Sequence, residues 1–381
     1  MKSTFLLCLA GLLGLGACSN DDVVNVKQPG AIQLHPLVEN STRATETTVG
    51  NLGSFKVTAL KDGESYGEMT VTNTGTEGST VWTVSPKTYW PDNAAQELHF
   101  YAYAPTTDMN VTIDGTSKKI SAYTPSETVA DQKDLVIAYN TGTKAANEAG
   151  GVDMFFKHAL AQIEVKAKCS SSNMKVKIIG VKIAQVVKSG DFTFPSAKTE
   201  AGVGKELASA LWTVGSEKTS YMTQGTSPVT LTSAVQSVMP AGNGNFMVIP
   251  QNVTSWNSGN NMSTNGGSYI SVLCRITNVS GNNETQIFPS AAGKYGFSAV
   301  AIGTTADDKV WKPGKKYVYT LEFFGSNSGG GKYDPEPDVP GGEDPTIDPT
   351  DPTKGGEDIL KPITFTVDVE EWTELPVDLP M

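Results

Sequence analysis

Material for catalysis is scarce in this 381-residue chain, which has three histidines and four cysteines, two of the latter (Cys8 and Cys18) in its opening stretch. His35 and His99 lack metal-ligand spacing, and His158 at the head of an apolar strand reads as a packed or hydrogen-bonded imidazole. Charged residues amount to only 18%, and arginine occurs only as Arg43 and Arg275. Runs with apolar residues at helical spacing are nearly absent, which excludes a helical bundle. The net charge of −11 is local, because nine acids against the single base Lys354 between Tyr333 and Asp358 supply −8 of it. No basic patch remains for nucleic acid, and neither an enzymatic role nor a cofactor is expected. Gly63-Glu64-Ser65-Tyr66-Gly67 spells a nucleophile elbow but falls between two strands, where a hairpin turn is the expected reading. Asp344, Asp348 and Asp351 could gather calcium, but intervening prolines and the lack of EF-hand spacing favour a plain linker.

What the chain does have begins at its first residues. Lys2, an apolar run from Phe5 to Leu15 and then Leu15-Gly16-Ala17-Cys18 form a lipoprotein signal, with Cys18 as the lipidated first residue after cleavage. The run is too short for a permanent span. Ser19, rather than aspartate, follows the cysteine, so the expected destination is the outer membrane. Over residues 23–40 the apolar residues Val24, Val26, Ile32, Leu34, Leu37 and Val38 recur at roughly alternate positions, which favours a strand. Residues 40–48 are polar and read as an exposed loop, and Arg43 is the only arginine on a loop. The Arg43–Ala44 bond is thus a target for an arginine-preferring protease; a linker arginine without a role is the alternative.

The body is rich in Thr, Ser, Gly and Asn and alternates like an all-β protein. Leu98, Phe100, Ala102 and Ala104 share one strand face opposite His99, Tyr101 and Tyr103, so that strand is expected to be central and covered on both sides. Ile163, Val165 and Ala167 stand opposite Gln162, Glu164, Lys166 and Lys168, a strand with one wet side. Residues 203–212 suggest one short helix, and residues 224–229, with Gly225 and Pro228, suggest a domain boundary. Cys169 and Cys274 share strand parity with apolar neighbours, which suits buried thiols as well as a disulfide. The Gly/Pro/Asp tract 325–356 reads as a solvated linker. After it Ile363, Phe365, Val367 and Val369 alternate with polar residues up to Trp372, a strand on a tether.

Several landmarks in order resemble the fimbrillin family, the lipoprotein pilins of Bacteroidetes type V pili. They are the lipobox at Cys18, Thr42-Arg43-Ala44, Trp90-Pro91 followed by Leu98-His99-Phe100-Tyr101-Ala102-Tyr103-Ala104-Pro105, Phe156-Lys157-His158-Ala159-Leu160-Ala161, Ile249-Pro250-Gln251, Pro313-Gly314-Lys315-Lys316-Tyr317, and Ile363-Thr364-Phe365 to Glu371-Trp372. Asp21 and Asp22 also resemble the surface-export signal of Bacteroidetes lipoproteins. The resemblance implies two tandem transthyretin-like Greek-key β-sandwiches, expected over 44–225 and 226–381 after a signal peptide (1–17) and a displaceable propeptide strand (18–43). It further implies cleavage between Arg43 and Ala44 by a trypsin-like protease, and polymerisation by strand exchange with other fimbrial subunits. Residues Ile363, Phe365, Val367, Val369 and Trp372 would belong to the donor strand, and Cys18 would tether the chain to the outer membrane at the cell surface. The long acidic linker makes a tip, anchor or accessory place as suitable as the stalk, with a host protein or glycan as adhesion partner.

Six tryptophans carry the alternative, a glycan-binding surface lipoprotein. Trp82 and Trp212 look like core, whereas Trp90, Trp256 and Trp372 could be exposed; several exposed rings on one plane favour sugar binding, and scattered, buried rings favour the pilin. Mass measurement of the surface-exposed form separates the cases. A chain beginning at Ala44 is expected for a processed pilin, and a lipidated Cys18 retained at the start supports the anchor or the glycan binder.

Overall fold

The computed structural model describes residues 30–38, 52–75, 81–202, 204–257, 266–337 and 354–372. Cys18, Arg43, Ala44, Asp344, Asp348 and Asp351 lie outside them. Nine strands come first: β1 (Leu34–Val38), β2 (Ser54–Lys61), β3 (Glu64–Asn73), β4 (Trp82–Ser85), β5 (Glu97–Ala104), β6 (Asn110–Ile113), β7 (Lys118–Tyr123), β8 (Val136–Thr143) and β9 (Val152–His158). Then follow β10 (Ala161–Cys169), β11 (Met174–Val187), β12 (Gly190–Thr193), β13 (Trp212–Val214), β14 (Lys218–Thr230), β15 (Gln236–Ser237), β16 (Phe246–Val248) and β17 (Gln251–Asn252). The last are β18 (Tyr269–Ser280), β19 (Asn283–Phe288), β20 (Gly296–Ala301), β21 (Val310–Trp311), β22 (Lys315–Phe323), β23 (Lys332–Tyr333) and β24 (Thr364–Glu371).

The first large sheet has the order β1-β9-β8-β5-β2-β3-β4. Its hairpin β2–β3 turns at Asp62 and Gly63, both at positive φ (51° and 85°), as a two-residue turn requires. The spelling of a nucleophile elbow therefore starts in a hairpin turn at Gly63 and continues as strand β3, which carries Ser65. Strand β5 is central, as its two-sided alternation predicts. Tyr101 and Tyr103 pack on one side with Ile120, Phe192 and Trp212 of a second sheet, ordered β13-β12-β7-β6. Leu98, Phe100, Ala102 and Ala104 point to the other side, into a core shared with Phe55, Phe156, Trp82 and Trp90.

The second pair of layers is a sheet ordered β15-β10-β22-β24, with β16 also on β10, and a sheet ordered β14-β11-β18-β20-β23, with β19 on β18. Between them lie Ile163, Val165, Val176, Ile178, Ile270, Val272, Tyr317 and Tyr319, together with Cys169 and Cys274, which are free thiols. Burial raises the pKa of both thiols, so neither is a ready nucleophile.

Four expectations change. Residues 224–229 are no break, since they lie inside β14, which pairs with β11 from Lys177–Thr230 to Val187–Lys218. Gly225 and Pro228 are tolerated because β14 is an edge strand, and a bulge at Ile178/Gly180 absorbs the irregularity. By pairing, β10 and β11 join the second set of layers while β12 and β13 return to the first. The strand β10 has no fully wet side either. Gln162 and Glu164 are buried, with Asn245 Nδ2 donating to Gln162 Oε1 at 3.1 Å and Lys316 Nζ 2.8 Å from Glu164 Oε2. Finally, the start of the tract 325–356 is folded, with Ser328 and Asp334 buried and β23 paired to β20. The expected short helix at 203–212 is a single 3-10 turn at Ser209–Leu211, preceded by a helical turn at Lys198–Ala201.

Phe156 meets the Phe55 ring edge-on at 4.9 Å in a fully buried site. Phe156→Ala is expected to lower unfolding free energy by about 3–5 kcal/mol, measured by urea denaturation. A loss well under this would show that the face is not a packed core.

Candidate functional site

The two margins of the seven-stranded sheet, β9 and the strip after β4, do not pair with each other, and one short segment fills the seam between them. On one side β1 runs parallel to β9, from Leu34 opposite Val152 to Val38 opposite Phe156. On the other side Ala31 bridges to Tyr89 just beyond β4, Ile32 N–H donates to Thr88 O at 2.8 Å and Trp90 N–H donates to Gly30 O at 2.9 Å. The side chains follow the same logic. Ile32 (2% exposed) and Leu34 (1% exposed) enter the core beside Phe55 and Phe100, and Pro36 is also buried. Leu37, one residue on from Pro36, faces out. Proline costs nothing extra in a strand that is paired on one side only. Gly151, at φ 81°, lets the His35 ring lie against the backbone, where a Cβ would come within 2.7 Å of its Cε1. Burying Ile32 and Leu34 contributes about 3–6 kcal/mol, at about 1.5–3 each.

The C-terminal strand is held differently. Strand β24 adds antiparallel to β22, from Glu322–Thr364 to Lys315–Glu371, in its own chain. Its inward residues are shallow: Phe365 and Val367 are half-buried and Val369 is 45% exposed. Four fully buried side chains would be worth about 6–12 kcal/mol, and in this docked state only Ile363 is fully covered. The ends are pinned. Ile363 enters the second core, while Trp372 stacks on His158 with centroids 4.4 Å apart and planes 7° from parallel, and the Trp372 backbone N–H donates to Gly314 O at 2.9 Å. His158 Nδ1 is 2.7 Å from buried Asp134 Oδ2, an arrangement that fixes the imidazole against the indole. Beside it a cavity of about 210 Å³ is lined by Lys157, Glu206, Lys315 and Glu371. Lys315 Nζ lies 2.8 Å from Glu206 and also pairs with Glu371. The Lys315 contact holds the Glu206 carboxyl below its usual range.

Trp90, Trp256 and Trp372 are buried rather than exposed. Trp90 meets Phe100 edge-on at 6.0 Å, Trp256 packs on Tyr269 at 5.1 Å, and Trp372 lies on His158. Trp82, Trp212 and Trp311 are buried too, so none of the six indoles offers a flat face to a sugar. Among the described residues no three of His, Cys, Asp and Glu gather as a metal site. Sequence reasoning missed the strip at residues 88–90 and the role of Asp134; the Trp90-Pro91 landmark beside that strip was the available signal.

The seam yields a test. Leu34→Ala is expected to cost about 2–5 kcal/mol and to speed amide exchange in β9 and at Ile32 and Trp90, while the β10–β22 ladder keeps its protection. Unchanged exchange in β9 would mean that β1 does not seal the sheet.

In comparisons with solved structures, the chain is similar to a candidate cell adhesion protein from Bacteroides uniformis at 15% identity, with 91% of this chain and 98% of that one covered and a TM-score of 0.45. It is similar to another from Parabacteroides distasonis at 12% identity, covering 91% and 99%, TM-score 0.45. It is also similar to the C-terminally truncated tip fimbrial protein Mfa3 from Porphyromonas gingivalis at 9% identity, covering 88% and 99%, TM-score 0.40. No curated protein matches the chain. The fimbrillin-like pattern matches residues 42–332, three quarters of the sequence, and on that match the chain belongs to the fimbrillin-like family.

Proposed function

We propose that this chain is a structural subunit of a type V fimbria, exported as an outer-membrane lipoprotein on Cys18 and assembled by strand exchange after cleavage between Arg43 and Ala44. Family membership supports a fimbrial or adhesion subunit. One observation carries the finer reading: the described residues ahead of Arg43 are the segment 30–38 that seals the seam of the seven-stranded sheet. While the chain is intact, that segment cannot diffuse away. Cutting at Arg43 turns it into a separate piece held only by its contacts, and its departure uncovers two unpaired edges and an apolar slot.

A strand with alternating apolar residues fits such a slot by adding to its edge. Ile363, Phe365, Val367 and Val369 supply that alternation, and their shallow docking at home makes exchange into a neighbour a net gain of buried surface. Association costs about 4–15 kcal/mol in lost freedom, so side-chain burial and the recovered ladder hydrogen bonds must act together. An arginine-specific trypsin-like protease has one accessible target in this reading. Arg275 sits within β18, donates to Lys294 O at 3.1 Å and lies against the Tyr295 ring, out of a protease's reach. The place in the fibre (stalk, tip, anchor or accessory) and the host protein or glycan contacted are left to the surface loops.

The experiment compares full-length wild-type and Arg43→Ala protein with and without an arginine-specific protease, following size by sedimentation. Wild type is expected to stay monomeric until treated and then to polymerise, while Arg43→Ala stays monomeric throughout. Polymerisation of Arg43→Ala at the wild-type rate refutes the mechanism.

A further inference from the structure

On the face of the β11-β18-β20 sheet turned away from the sandwich core, a lysine and an aspartate meet without water. Lys182 Nζ, on β11, lies 2.7 Å from Oδ2 of Asp334, just after β23, with the two side chains 2% and 0% exposed. The other carboxyl oxygen, Oδ1, accepts two hydrogen bonds, from the Tyr269 hydroxyl at 2.9 Å and from the Glu336 backbone N–H at 2.8 Å. Lys182 Nζ also donates to the Glu336 carbonyl and sits 4.6 Å from the centre of the Phe297 ring. The Glu336 carboxylate is fixed by Gln185 Nε2 at 2.9 and 3.0 Å, which holds this segment over the pair.

A buried ion pair is a weak source of stability, because desolvation offsets most of its attraction. The same geometry is well suited to acyl transfer. A nitrogen nucleophile is held against a carboxyl group, two donors converge on the oxygen where charge would develop, and aromatic walls exclude the water that would reverse the reaction.

We propose that Lys182 and Asp334 condense into an intramolecular amide. The ammonium passes a proton to Oδ2, giving an amine and a carboxylic acid. Nζ then attacks Cγ, and the new Nζ–Cγ bond puts negative charge on Oδ1, stabilised by Tyr269 and the Glu336 N–H. A second proton moves from nitrogen to Oδ2, the Cγ–Oδ2 bond breaks, and one water leaves. No oxidant, reductant or further reactant is required. The bond would join β11 to the root of the acidic tract, so that tension on β24 passes directly from Asp334 to Lys182 and spares residues 183–333. Its formation is independent of the assembly mechanism proposed above.

Protease fragments of the full chain, mapped by tandem mass spectrometry, test this. The expected result is a branched fragment linking the Lys182 and Asp334 segments, lighter than the two together by one water, with no tryptic cut after Lys182; Lys182→Arg should give two linear fragments. Wild-type protein whose Lys182 and Asp334 segments appear separately at full mass contains only an ion pair and overturns the proposal. Persistence of the branched fragment in Lys182→Arg overturns the assignment.

Discussion

A curled sheet with an apolar interior cannot leave its two outer edges unpaired, and the first half of this molecule is built around that constraint. Seven strands enclose Phe55, Phe100 and Phe156, but β9 and the strip after β4 do not reach each other. The gap is bridged by residues 30–38, which hydrogen-bond to both sides and plug the opening with Ile32 and Leu34. Each buried amide left without a partner costs about 1–3 kcal/mol, so the bridging backbone matters as much as the side chains. Core integrity therefore rests on a segment joined to the rest of the sheet from one direction in sequence only.

The two ends of the chain contrast in how they are held. The N-terminal segment is inserted deeply over a short length, whereas β24 lies along β22 with a shallow inner face and is fixed at its extremities by Ile363 and Trp372. The Trp372 end combines ring stacking on His158 with the charges of Lys315, Glu206 and Glu371. Deep insertion suits a plug.

Elements set by local pattern were legible in the sequence. The two-sided alternation of β5 and the hairpin turn at Gly63 follow from neighbours along the chain. What was missed depends on partners far away. Glu164 looks solvent-facing until Lys316 is brought beside it by the parallel β10–β22 pair. Pro228 looks like a boundary until β14 proves to be an edge strand, and the apparent linker hides Asp334, whose partner Lys182 is on β11. Of the candidate site, the apolar alternation before Arg43 was readable, but the strip at residues 88–90 that receives it was not, because no periodicity marks a bridge between two sheet margins. The exposed-tryptophan reading failed for a similar reason: each ring finds its cover only in tertiary contact.

The interleaved strand order has a consequence for how the molecule is made. Strands β12 and β13, which cover Tyr101 and Tyr103, follow β10 and β11 in the chain, and those two belong to the other set of layers. A chain emerging from its N-terminus thus cannot finish its first sandwich until residues 190–214 are out, and β10 must wait for β22 about as long again. Pairings so distant in sequence are slow, and an incomplete sandwich presents bare aromatic surface in the meantime. Until its later strands arrive, such a chain carries open sheet faces to which neighbouring chains can adhere.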